Sequence, residues 1–552
     1  MKYMKKIILI MAILGILGVS SCDTKFLDLP NPSAYSSDTY FDGATATTYK
    51  GLTTAIYSGL MNQGLFARDW YFYLDMLGNE VEPTNAMLGE NRVMCNYSYQ
   101  PDNGYLTLLW QYLYQVQHRS NFAISVMSKW VPASESEQTQ KDYFTGESNF
   151  FQGFIYYHLA ALYGAAPLYE TYEEVLANKM KARSTRTQVY AYAEKQLKAA
   201  IDLLPPTWPS VDNGRATKWA AKAYLAQLYM QTGNYNEAIP ILEDIITNGG
   251  FTVWPGLKGF HRQFQKENRN SPETIFDIKY AWYGTANANK NFEWGYFESS
   301  GNNMAAHTGR GIEYGDKDWS NCYVTFNAVH KFKYNINAVT DYIDPRASET
   351  FYGDGDATVG FYGGDTYRFG PKAAPVTDGE AFSFSAGTFY WRWKKYQNYE
   401  YQVMQDNNSE ISCQMMRLNG VRLMLAESYI LSTTPQYTKA LTQINLVRSR
   451  AGAVEYLSIP ATKTGAMDLL MRERSLEQTG EQVRWFDLLR WDAAGVINMK
   501  TQINFEKLTV NGKPDYANFD DKHRLLPIPQ TERDVNKNCV APDGWNGSAS
   551  IN

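Results

Sequence analysis

The chain has 552 residues, a net charge of −5, and 44% hydrophobic, 20% charged and 15% aromatic content, with 41 Tyr and 14 Trp. That length predicts two to four domains or one large helical array. An acidic chain with no lysine- or arginine-rich stripe excludes nonspecific nucleic-acid binding, which needs basic surface.

Residues 1–21 carry Lys2, Lys5 and Lys6, no acid, and the apolar run Ile7–Val19. The run falls short of the roughly 20 residues that a spanning helix needs, so 1–21 reads as a secretory signal peptide. Cys22 follows "VSS" directly, which looks like a bacterial lipobox, a site cut just before the cysteine and acylated on its thiol. Cys22 is therefore the expected membrane anchor, because several acyl chains suffice for stable attachment. Residues 22–45, rich in Pro, Ser, Asp and Thr, read as the lipidated N-terminus and tether.

The remainder, 46–552, reads as mainly α: a scaffold of helical pairs over about 46–254 and 411–552, with a loop-rich face over about 255–410. "ATATTYKGLTTAIYSGLM" repeats apolar residues at helical steps. The sharpest signal is "RATKWAAKAYLAQLYMQTGNYNEAIPILEDIIT", from Arg215. Ala223, Leu225, Ala226, Leu228 and Tyr229 lie on a helical period, Gly233 breaks it, and Tyr235, Ala238, Ile239 and Leu242 open a second helix. This is the spacing of a tetratricopeptide helix–turn–helix. Weaker echoes occur at 149–169, 187–206 and 417–452. One pair cannot bury its own face, so several must stack.

Between the helical stretches periodicity fades and Gly, Asn, Asp, Tyr and Trp increase. "ETIFDIKYAW" and "TFYWRWKKYQNY" read as short strands, the second with alternate rings buried. The rest reads as loops on a rigid frame, where binding usually sits. Aromatic clusters at 68–75, 279–284, 291–298, 316–323 and 390–401 offer flat faces to sugar rings, with neighbouring Asn, Asp, Arg and Lys to bond hydroxyls.

No catalytic residue and no cofactor stands out. The six histidines are not at metal-ligand spacing, and HExxH, GxSxG and Walker patterns are absent. "DKD" at 316–318 and "DGD" at 354–356 lack the twelve-residue calcium loop and read as turns. Cys95, Cys322, Cys413 and Cys539 form no CxxC and read as buried thiols or an incidental disulfide. The charge-dense stretch 472–491 reads as ion pairs within a helix and to its neighbour.

These pieces together resemble the SusD/RagB family of outer-membrane lipoproteins. The resemblance is carried by the lipobox at Cys22, the Leu-Tyr-Gly segment at 162–168, "RATKWAAKAYLAQLYMQTGNYNEA", "RLMLAESYIL", "INLVRSRAG", "RERSLEQTGEQVRWFDLLRW" and "LLPIPQTERDVNKN". It implies a tetratricopeptide-like scaffold and a non-enzymatic protein at the cell surface. Such a protein caps a TonB-dependent transporter and captures glycans for import. It also implies an arc of stacking rings, best matched by Trp319, then by Trp294 and Tyr296, with Trp282 in the neighbouring cluster. After the "NE" dipeptide, "NEVEPTNAMLGEN" holds no ring, which leaves Trp70, Tyr71 or Tyr73 as substitutes, or a different ligand. Asp316, Asp318 and Asn85 are the polar candidates. The rival readings are a lipid-anchored glycosidase, which needs paired carboxylates in a cleft, and a family member that takes peptide or another nutrient.

Overall fold

The computed structural model describes residues 41, 43–84, 89–280, 308, 310–314, 321–352, 391–397, 409, 411–539 and 545, and the backbone of 357–361 and 365–368. The signal segment and Cys22 lie outside the described residues. The chain divides into two compact units, 1–51 and 52–552. In the first, the rings of Phe41 and Tyr49 stack at 5.8 Å. Helix α1, Ala46–Leu60, begins there and ends in the second unit.

The second unit is mainly α. After α1 come α2 (Asp69–Leu77), the short strand β1 (Val81–Pro83), α3 (Gly104–Lys129), α4 (Glu135–Tyr163), α5 (Arg186–Leu203), α6 (Lys218–Gln231) and α7 (Tyr235–Asn248). Local chemistry sets their ends. The Asn103 side chain accepts from the backbone of Tyr105 and Leu106 at the start of α3, and Thr217 accepts from Ala220 at the start of α6. Thr185 and Gln188 form a reciprocal capping box on α5. Gly233, at φ +78°, makes the turn between α6 and α7 where the sequence places it. Ala220, Ala221, Ala223 and Ala226 are fully buried on α6, which lets its neighbours approach closely.

The strand β2 (Thr274–Ile278) leaves this array, and β3 (Cys322–Val324) and the hairpin β4 (Lys333–Ile336) and β5 (Val339–Ile343) follow. Helical structure resumes after β6 (Cys413–Arg417) with α8 (Leu418–Leu431), α9 (Tyr437–Arg450), α10 (Lys463–Gln478), α11 (Arg484–Ala493) and α12 (Met499–Phe505). Each helix from α3 to α9 packs on the next, and α7 packs on α8 across the long interruption. The two helical stretches are thus one stack. β6 pairs antiparallel with β2, Cys413 opposite Ile278, so the interruption starts and ends on one ladder. Late in the chain the Leu526 amide donates to Leu162 O at 2.7 Å and the Gln530 amide to Pro101 O at 2.8 Å. The "LLPIP" and Leu-Tyr-Gly segments therefore meet.

Two expectations change. Among the described residues of "TFYWRWKKYQNY", 391–397, Arg392–Trp393 form the expected short strand, but the rings do not alternate in burial. Trp391, Arg392, Trp393 and Tyr396 are all buried, because this segment is covered on both sides rather than half-exposed. The charged stretch 472–491 pairs mostly over long distances. Glu473 meets Arg346 at 2.7 Å and Arg448 at 2.6 Å, and Glu477 meets Arg417 at 2.7 Å and Arg346 at 3.0 Å. Glu481 meets Arg417 at 2.8 Å and Lys395 at 2.9 Å. Asp487 bonds Arg490 within α11 and Arg474 on α10, both at 2.7 Å. Cys95, Cys322, Cys413 and Cys539 are buried free thiols. No helix among the described residues is long and apolar enough to cross a membrane.

Candidate ligand-binding site

Trp282, Trp294, Tyr296, Asp316, Asp318, Trp319 and Asn85 lie outside the described residues, as do the "DKD" and "DGD" turns. The residues that flank them are described, and the geometry of the site begins there.

β1 and β3 pair antiparallel, with Val81 opposite Val324, Glu82 opposite Tyr323 and Pro83 opposite Cys322. The ladder ends where the Thr84 amide donates to Asn321 O at 2.8 Å. The stretch that holds Asn85 therefore leaves from the point at which the stretch holding Trp319 returns. That second stretch starts at Tyr314, the last residue of a short helix, Arg310–Tyr314. The Asn321 amide closes on Glu313 O at 2.9 Å and its side-chain amide on Glu313 Oε2 at 2.6 Å. Glu313 Oε1 in turn accepts from Arg68 Nε at 2.6 Å, with both side chains buried.

The longest of these stretches, 281–307, is held at both ends by neighbouring carbonyls. Tyr280 Oη donates to Phe66 O at 2.7 Å, and Thr308 Oγ1 donates to Ala67 O at 2.9 Å. Phe66 and Ala67 sit in a π turn, Gln63–Ala67, kinked at Leu65 (φ −122°, ψ −125°). Such turns disturb the regular ladder and are frequent at functional sites.

Trp70, Tyr71 and Tyr73 do not belong to a sugar platform. All nine residues of α2 are buried, and these three rings are at most 2% exposed. Trp70 packs on Phe66 at 4.7 Å, His158 at 5.0 Å and Phe486 at 6.1 Å. Tyr71 meets Tyr314 at 5.3 Å and Tyr73 meets Tyr105 at 6.5 Å. The correction has a simple cause. α2 is sandwiched between the helical stack and the stems of the loops, so its rings form the base beneath the site.

The same base concentrates buried charge. Burial pushes the Asp69 carboxyl up to about 8, against the opposing pull of Arg68. Burial also raises Asp75 to about 7, although Arg310 lies 3.8 Å away and Tyr314 Oη donates to it at 2.9 Å. Both carboxyls are enclosed, and Asp75 holds Tyr314, at the stem of the second stretch, through its hydroxyl.

Sequence reasoning missed Arg68, Tyr280, Thr308 and Glu313, whose partners lie more than 200 residues away. It also passed over Phe326, and took in Tyr323 only as part of the 316–323 cluster. Phe326 is 51% exposed and stacks on His330 at 5.5 Å. Tyr323 is half-buried and donates to Glu82 Oε2 at 2.7 Å. The local signal was the aromatic run after Trp319, "CYVTF".

Two family models match the chain: "Starch-binding associating with outer membrane" over residues 25–230 and "SusD family" over residues 272–545. A SusD-like protein of Formosa agariphila is 23% identical, with 95% of this chain and 96% of the relative covered. A crystal structure of a SusD superfamily protein from Bacteroides vulgatus matches with a TM-score of 0.68 at 24% identity, covering 90% of this chain and 98% of that one. The surface glycan-binding protein A from Bacteroides uniformis matches with a TM-score of 0.67 at 19% identity, covering 90% of this chain and 99% of that one. With the helical stack, the ordered motifs and two family models that between them take in most of its length, the chain belongs to the SusD/RagB family.

Proposed function

We propose that the protein is a cell-surface lipoprotein that captures an oligo- or polysaccharide and delivers it to a TonB-dependent outer-membrane transporter. In this reading residues 1–21 are removed, Cys22 carries the lipid, 22–45 tether the body, and 46–552 form one domain with its ligand face at about 255–410. The observation that carries the reading is the convergence of loop stems. The described residues that flank the stretches holding Asn85 and Trp319 share the end of the β1–β3 ladder, and Tyr280 and Thr308, which flank the stretch holding Trp294 and Tyr296, bond the turn just before α2. The family description that names starch and the outer membrane, and the relative named for surface glycan binding, support the same class of ligand.

Trp319, Trp294, Tyr296 and Trp282 would stack on sugar rings, and Asp316, Asp318 and Asn85 would bond hydroxyls. Phe326, exposed just beyond β3, joins them as a stacking candidate. The reading is of a binding protein and not an enzyme. The described carboxylates of 472–491 that would be needed for glycosidase chemistry are taken up by buried arginines.

The test is a glycan panel against wild type and Trp319→Ala, with product analysis of each incubation. Binding of at least one glycan, weakened in the variant and with no shortened product, is expected. Equal binding by both proteins overturns the site, and a shortened product overturns the non-enzymatic reading.

A further inference from the structure

Helices α10, α11 and α12 and the turn that holds Lys331 enclose an open cavity of about 310 Å³. That is within the usual size of small-molecule sites, about 300–1,000 Å³. Met471 and Ile497, both half-buried, form an apolar wall backed by the buried Leu488 and Trp491, and the Trp491 indole N–H is already taken by Glu427 at 3.1 Å. Lys331, Arg484 and Glu506 form the charged floor, Arg472 flanks it, and Asp468 is an exposed acid at the edge.

The floor is unbalanced. Glu506 Oε1 accepts from Arg484 Nη2 at 2.7 Å and Gln502 Nε2 at 2.8 Å. Its Oε2 accepts from Asn327 Nδ2 at 3.0 Å and Asn79 Nδ2 at 3.2 Å. Glu506 is therefore fully engaged by other donors. Lys331 Nζ stands 4.0 Å from Oε1, too far for a hydrogen bond, and bonds no other described residue. Its side chain is 19% exposed. Burial pushes its ammonium down to about 8, with Arg484 adding to the effect. Burial alone would raise Glu506, but Arg484 and Lys331 outweigh it and hold the carboxyl at about 2. A partly desolvated ammonium with no acceptor is costly, and an oxyanion supplies what it lacks.

We propose that this cavity is a second binding site, for a sugar that carries an oxyanion. The carboxylate or sulfate oxygens lie on Lys331 and Arg484 and the sugar ring lies against Met471 and Ile497, the half-buried apolar residues of the lining. The sugar class rests on the glycan-binding reading above, whereas the oxyanion does not. The site is also bonded to the loop stems. Asn79 precedes β1 and Asn327 follows β3, so the floor carboxylate is fastened to both strands of the ladder.

The experiment titrates the purified full chain with glucuronate, a sulfated monosaccharide, glucose and inorganic sulfate, by calorimetry or ligand-observed NMR. One or both anionic sugars are expected to bind and glucose is not. Lys331→Met is expected to weaken that binding by about tenfold or more, and Ser475→Trp, which fills the cavity, to abolish it. Trp319→Ala is expected to leave it unchanged, which separates this site from the loops. Failure of both anionic sugars to bind, or wild-type affinity in both cavity variants, overturns the proposal. Inorganic sulfate that binds as tightly as the sugars overturns the sugar assignment. Loss of glycan binding in Trp319→Ala alongside either failure leaves the main function standing. A melting curve of each variant reports whether it has folded.

Discussion

Arg346 and Glu473 form a fully buried ion pair, with Arg346 Nη1 2.7 Å from Glu473 Oε1 and neither side chain exposed. The arginine lies in the loop-rich part and the glutamate on α10, 127 residues later. The same guanidinium also holds Asp344 at 2.8 Å and Glu477 at 3.0 Å. Arg417, at the end of β6, meets Glu477 and Glu273 at 2.7 Å each. This network fastens the interruption to the helical stack beneath the β2–β6 ladder.

Arg346→Ala would remove one partner from each of three buried carboxylates, Asp344, Glu473 and Glu477, while Tyr334, Arg448 and Arg417 stay bonded to them. Breaking one side of a buried pair costs about 3–5 kcal/mol, and the loss here is expected at the lower end because those partners remain. Denaturant unfolding measures it, and a loss under about 1 kcal/mol would show that the network is not needed for stability.

The acids of the network and of the base titrate in opposite directions. Burial alone would raise Glu477, but Arg450, Arg417 and Arg346 hold it well below the usual carboxylate range. Its contribution is present above its ordinary value of 4.5 and is lost as pH falls toward the folded-state value. Asp69 is raised, so its contribution is present below its ordinary value of 3.8 and is lost as pH rises through about 8. Asp69→Asn is therefore expected to flatten the decline of stability between about pH 4 and pH 8 and leave the profile above that window unchanged. Melting curves from pH 4 to pH 9 check this, and parallel profiles for variant and wild type contradict it.

Trp70 and Trp319 are expected to behave differently although both lie in aromatic clusters. Trp70→Ala removes a ring buried between Phe66, His158 and Phe486 and should cost about 3–5 kcal/mol. Trp319→Ala should weaken glycan binding about tenfold or more with little change in melting temperature. A Trp70→Ala protein as stable as wild type would return that residue to the surface.

Tyr280→Phe and Thr308→Val each remove one hydroxyl from the stems of 281–307. Each should cost about 0.5–1.5 kcal/mol of stability, while the double variant loses glycan affinity through misplacement of the loop. Binding isotherms and melting curves on the same preparations separate the two effects. Unchanged affinity in the double variant would mean that the stems do not position the site.

The legible features were local ones. The α6–α7 pair, its glycine turn and its alanine face follow from residues within a few positions of one another. "RDWYFYLD" was not legible in this way. An aromatic run has the same composition in a core or on a platform, and here the choice is made by His158, Phe486 and Tyr314. The long-range ion pairs of 472–491 are likewise invisible at helical spacing, since most of their arginines come from other elements.

By itself, the sequence determined the family, the mainly α class and the positions of the helical pairs, because periodicity and turns act over short distances. Tertiary structure alone decided that α7 meets α8, that the α2 rings are the base rather than the face, and that the stems of separate loops share one ladder. Those outcomes depend on which apolar and charged surfaces close on each other. That pairing is set by burial across hundreds of residues and leaves no local periodicity to read.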